Sequence, residues 1–111
     1  MILGDLNADP HDGETAGAIS ALLEHPRLVD PKPASEGAAA ASAAQGARND
    51  VHAGDPRLDT ADWDDEHVGN LRVDYALPST TLRVKAAGVH WPLDDDAPSD
   101  HHPVWVDLTR D

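Results

Sequence analysis

The sequence predicts an α/β domain built on a mostly antiparallel sheet with one principal helix. Short apolar or alternating runs recur at residues 1–3, 71–77, 82–89 and 103–108, which is strand patterning, and one segment between them has helical spacing. With 111 residues the chain is long enough for one compact domain and too short for two.

Met1 to Leu3 reads as the end of a buried strand that runs into a Gly-Asp turn. From Thr15 to Glu24 a helix is expected, because Ile19, Leu22 and Leu23 fall at i, i+3 and i+4 and Pro26 stops the pattern. Pro31 to Asp65 is rich in Pro, Gly, Ala and Asp, and a long loop is expected over about 31–69. Within it, Ala38 to Ala44 has high helix propensity, enough for about two turns, yet lacks a large apolar face to hold it. Leu71–Leu77 and Leu82–Val89 read as neighbouring antiparallel strands joined at Ser79-Thr80-Thr81. Asp94-Asp95-Asp96 is an acidic loop without a calcium-loop pattern, and Pro103 to Leu108 is a last strand with Val104, Val106 and Leu108 on one face.

Charge and composition exclude several classes. Eight Lys and Arg stand against 21 Asp and Glu, a net charge of −13 that repels duplex nucleic acid and disfavours it as a partner. No Cys is present, so disulfides and thiolate metal sites are ruled out. No apolar run approaches the roughly 20 residues that span a bilayer. Met1 is followed by Ile2-Leu3-Gly4-Asp5 and not by a basic and then apolar leader, so no signal peptide is expected within this chain, and its localisation is left open.

Chemistry concentrates in three stretches: Gly4-Asp5-Leu6-Asn7, Arg72-Val73-Asp74-Tyr75 and Ser99-Asp100-His101-His102. Each lies in or at the end of a strand candidate, where polar side chains from distant parts of a chain meet. Asp5 and Asn7, two apart in an extended segment, point to one side. A carboxylate that orients water beside an amide that donates to a phosphoryl oxygen suits hydrolysis of a phosphate ester, and an Asx-turn leaving the strand is the plain alternative. Asp100 is a hard-oxygen donor next to the imidazole of His101, a pair that also suits a polar turn. Asp74 faces opposite to Val73 and Tyr75, and a histidine from a neighbouring strand would offset the cost of burying its carboxylate. His11, His25, His52, His67 and His90 are scattered without metal-ligand spacing, and Trp63, Trp91 and Trp105 are read as core or interface anchors.

In combination, Gly4 to Pro10 (Gly-Asp-Leu-Asn-Ala-Asp-Pro), Arg72 to Ser79 (Arg-Val-Asp-Tyr-Ala-Leu-Pro-Ser) and Ser99 to Val104 (Ser-Asp-His-His-Pro-Val) follow the order seen in the endonuclease/exonuclease/phosphatase superfamily, and the chain resembles its deoxyribonuclease I and exonuclease III branch. The resemblance implies part of a four-layer α/β sandwich, with residues 1–111 as the C-terminal portion of the domain and the N-terminal half missing. It implies hydrolysis of a phosphomonoester or phosphodiester with Mg²⁺, or Mn²⁺ or Ca²⁺ in its place, weakly held. Asp5 would orient or activate water, Asn7 contact the phosphate, Asp100 link to the metal, His101 contact the scissile phosphate or act in acid–base catalysis, and Asp74 hold His101. Family members also use another Asn, a metal-binding Glu and a second His with its acidic partner from the other half, none of which is matched here. An inactive half-domain that works only with a missing half or by self-association is therefore the rival expectation. Gly54-Asp55-Pro56, Asp59-Thr60-Ala61-Asp62-Trp63 and Gly69 to Arg72 resemble a bacterial branch whose members are often exported.

Overall fold

The computed structural model describes residues 1–93 and 99–110. Its strands are β1 (Ile2–Asp5), β2 (Ala61–Asp62), β3 (Asn70–Leu71), β4 (Asp74–Leu77), β5 (Arg83–Val89) and β6 (Val104–Thr109), and its α-helices are α1 (Ser20–Leu23) and α2 (Glu36–Gln45). The strands form three antiparallel pairs, β1 with β4, β2 with β3 and β5 with β6, so the architecture is α/β with antiparallel pairing throughout the described residues. The acidic run Asp94-Asp95-Asp96 lies outside them.

β1 and β4 are expected strands whose pairing brings together segments far apart in the sequence. Ile2 and Leu77 are register partners, and Leu77 and Tyr75 pack with Ala8 and Ile19 in a small core to which Leu6, Leu22, Leu23 and Leu28 add their flanks. α1 belongs to this core but is shorter than Thr15–Glu24. Gly17 takes φ +87°, a left-handed conformation that a helix cannot include, so residues 15–19 are tight turns and regular helix starts only at Ser20.

The region read as a loop holds the longest helix. α2 is a capped helix: the Ser35 hydroxyl accepts the Ala38 N–H at 3.1 Å, and Gly46 closes it with φ +62°. Its buried face is made of small residues, Gly37, Ala38 and Ser42, which let its backbone approach the end of the β5–β6 pair. A Cβ on Gly37 would fall 1.6 Å from the Trp91 carbonyl oxygen, so this contact admits only glycine. The expectation of a marginal helix weighed large apolar residues alone, whereas here close packing of small ones on Val89 and Trp91 supplies the missing support.

β4 and β5 are not a hairpin. After Leu77 the chain pairs with the segment behind α1, through the bridge between Leu28 and Ser79 and the bonds Val29 N–H to Pro78 C=O and Thr80 N–H to Arg27 C=O. β4 is thereby occupied by β1, and β5 takes β6 with a bulge between Val84 and Ala86. β6 shows the expected alternation, with Val104, Val106 and Leu108 half-buried and Trp105 and Asp107 exposed. Of the three tryptophans, Trp91 is buried, Trp63 packs on a third small core of Ala61, Leu71 and Val73, and Trp105 is 46% exposed. No helix among the described residues is long and apolar enough to cross a membrane.

Candidate active site

Asp5 ends β1, Asp74 begins β4, and the two are register partners across the pair. Residues directly opposite in a ladder point to the same face, so two carboxylates meet there, an arrangement that is repulsive without a positive group between them. His101 is that group. Its Nδ1 lies 2.9 Å from Oδ2 of Asp74, and ligand atoms of Asp5, Asp74 and His101 all lie within 4.8 Å of one another. They border an open depression of about 410 Å³ with Leu3, Gly4, Tyr75, His102 and Pro103.

Each side chain is set by its backbone. His101 forms an isolated bridge with Ala61, and the Asp62 N–H donates to the Asp100 carbonyl, so the turn carrying His101 is stitched to β2. The Leu6 N–H donates to the Val73 carbonyl, and the Tyr75 hydroxyl lies 2.6 Å from the Ala8 carbonyl and 3.0 Å from that of Arg72, which ties the Asp5 loop to the strand holding Asp74. Arg72 is buried beneath, paired with Asp30 through contacts of 2.6 and 3.0 Å and lying over the Tyr75 ring. Burial works against the Asp30 charge, yet the Arg72 hydrogen bond and charge hold its carboxyl below the usual range. The Trp63 ring meets His101 edge-on at 5.6 Å.

Asn7 and Asp100 stand differently. The Asn7 N–H donates to Asp5 Oδ1 at 2.9 Å, the Asx-turn, and Asn7 has φ +52°, exposed at the mouth of a neighbouring cleft of about 790 Å³ lined by Trp63, His52 and Arg48. Asp100 is exposed beside His101 and contributes negative charge to it, while the three-ligand group contains Asp5 and Asp74 in its place. Of the sites read from sequence, Asp5, Asp74 and His101 converge. Sequence reasoning gave no role to Arg72, Asp30 or Thr60, since a bonded Arg or Thr looks like any other strand residue until its partner, far along the chain, is known.

His101 is held above its usual pKa, first by the hydrogen bond to Asp74 and then, against some desolvation, by the charges of Asp74, Asp5 and Asp100. The imidazolium form therefore persists to higher pH than in a free side chain. The pair stabilises the fold fully below the unfolded histidine value near 6.5, and this contribution is lost as pH rises through the raised folded value. Titration of the metal-free chain by NMR is expected to show the His101 pKa dropping in Asp74→Asn; an unchanged value would mean that Asp74 does not govern it.

Two carboxylates and an imidazole fit a hard divalent cation, which prefers oxygen donors. While Nδ1 meets Asp74 it does not take an ion, so in this geometry the carboxylates are the donors open to a cation and the imidazole stands beside them. The family model described as Endonuclease/Exonuclease/phosphatase family matches residues 1–101, and the chain belongs to that family. No curated protein and no solved structure matches the chain. Hydrolysis of phosphate esters, of the phosphoesterase or nuclease kind, is the function at family level.

Proposed function

We propose that this chain carries one part of a divalent-metal site that hydrolyses phosphate esters, with Mg²⁺ as the natural ion and Mn²⁺ or Ca²⁺ as substitutes. The convergence of Asp5, Asp74 and His101 supports the reading. Asp5 orients water and takes its proton as the new oxygen–phosphorus bond forms. The Asn7 amide donates to a phosphoryl oxygen. With Nδ1 engaged by Asp74, Nε2 of His101 is the ring nitrogen left to face the phosphate and to give a proton to the leaving oxygen as the ester bond breaks. Asp100 adds a carboxylate beside them as a metal-linked group. A bound divalent cation would supply charge neutralisation at phosphorus. The net charge of −13 favours small phosphate esters over duplex nucleic acid.

The second reading, an inactive half-domain completed by another chain, is favoured by Leu3, 66% exposed on β1 next to Asp5, with the outer edge of β1 unpaired among the described residues. The chain alone is expected to turn over phosphate esters slowly, because three groups at an open surface position an ion poorly. An assay with simple phosphomonoesters and phosphodiesters, combined with Mn²⁺ broadening of the His101 NMR signals, separates the readings. Slow turnover lost on chelation supports the first. Broadening at His101 without turnover supports the second, and neither broadening nor turnover discards the metal site.

A further inference from the structure

Three consecutive backbone N–H groups at the break between β3 and β4 are bonded by side chains and not by a neighbouring strand. The Arg72 N–H goes to Asp9 Oδ2, and those of Val73 and Asp74 both go to the hydroxyl oxygen of Thr60 at 3.1 Å. Thr60 and Val73 are each 1% exposed, so the bond to the Val73 N–H is shut off from water, and that to the Asp74 N–H lies partly buried beside it. On its other side the Thr60 carbonyl accepts the His102 N–H at 2.8 Å, and its N–H donates to the Leu71 carbonyl at 2.9 Å. The next two residues continue the same seam, with Ala61 bridged to His101 and the Asp62 N–H on the Asp100 carbonyl. Asp62 is itself braced from α2, since its carboxylate accepts from Gln45, whose amide oxygen accepts from Asn70.

We propose that Thr60 is the positioning residue of the Asp74–His101 pair: its hydroxyl fixes the backbone that carries the carboxylate, and its carbonyl fixes the backbone that carries the imidazole. The 2.9 Å contact joins side chains 27 positions apart, and Thr60 is a single buried residue bonded to the backbone on both sides of it. A hydroxyl is required because a side-chain oxygen must accept from two N–H groups, and of the uncharged residues of this size only Ser offers the same atom at the same place. Valine keeps the volume and removes the acceptor, leaving the buried Val73 donor and the part-buried Asp74 donor without their partner. The catalytic importance of Thr60 rests on the proposed hydrolytic role of the pair; its positioning role does not.

The test is the proton on His101 Nδ1, observed by NMR in the full chain with chelator present, in wild type, Thr60→Ser, Thr60→Val, Thr60→Ala and Asp74→Asn. Loss of the protected signal in Asp74→Asn assigns it to the pair. Thr60→Ser is expected to keep the signal with wild-type solvent exchange, while Thr60→Val, with its other resonances still dispersed, exchanges it about tenfold faster or loses it. Should Thr60→Val fail to fold, the smaller Thr60→Ala against Thr60→Ser makes the same comparison. A wild-type signal in Thr60→Val or Thr60→Ala overturns the proposal, as does a loss in Thr60→Ser equal to that in Thr60→Ala, which would make the methyl group the important part. Absence of turnover in every variant would strike the hydrolytic reading and leave this result standing.

Discussion

His101→Ala is expected to lower kcat/KM by about 10²- to 10⁴-fold in any assembly in which this chain hydrolyses a phosphate ester, the range for loss of a positioned acid or base. The ring is half-buried and held through Nδ1 by Asp74, which leaves Nε2 as the nitrogen that this contact does not use. Asp74→Asn should cost less, because the imidazole remains while its charge and orientation are compromised. The two changes act on one unit, and the double variant should therefore fall no further than His101→Ala alone. Steady-state kinetics of the three variants measure this. Losses that multiply, or a His101→Ala enzyme within about twofold of wild type, would show that the pair is not an acid–base device.

The largest stability effect is expected at Asp59. The residue is 7% exposed, and its carboxyl has no hydrogen bond among the described residues and shares its surroundings with Asp9, Asp12 and Asp55. Burial first, and then those negative neighbours, push its pKa from 3.8 up to about 8. A carboxyl raised in the folded state binds its proton more tightly than in the unfolded chain, so between about pH 4 and pH 8 the native state holds more protons than the unfolded one. Stability from this group therefore declines as pH rises through that window and levels off above 8. Asp59→Asn removes the titration while keeping the shape. It is expected to match wild type near pH 4 and to become progressively more stable than wild type towards pH 8, with roughly 5 kcal/mol as the upper limit. Urea unfolding of both proteins at several pH values tests this, and a difference that stays constant from pH 5 to pH 8 would show that Asp59 is already ionised.

What could be read from the sequence divides along physical lines. Strands that alternate, such as β6, and short polar motifs at strand ends were legible because the signal is local. Asp5, Asp74 and His101 were singled out that way and lie close together, and the contact between Asp74 and His101 has the geometry that the burial argument for Asp74 called for. Pairing was not legible: nothing around Ser79 to Thr81 announces that β4 goes to β1 and β5 to β6, since each choice is settled by burial of residues far away. α2 was underrated because its docking depends on the missing side chain of Gly37 and the small one of Ala38, and small residues leave no mark in a search for apolar faces. Gly17 was the opposite case, a visible residue whose left-handed conformation shortened the expected helix.

The pairing of β1 with β4 also bears on the order in which the molecule comes together. The backbone bonds of α2 and its capping turn are made within one short stretch of chain, whereas the Tyr75 hydroxyl reaches the Ala8 carbonyl across 67 positions. Closing so large a loop is entropically costly before any contact rewards it. The carboxylates of Asp5 and Asp74 therefore face each other only when that long-range pairing is made, and a chain without it does not bring the two together. Whatever depends on the two carboxylates meeting depends in this sense also on some of the most non-local contacts of the fold.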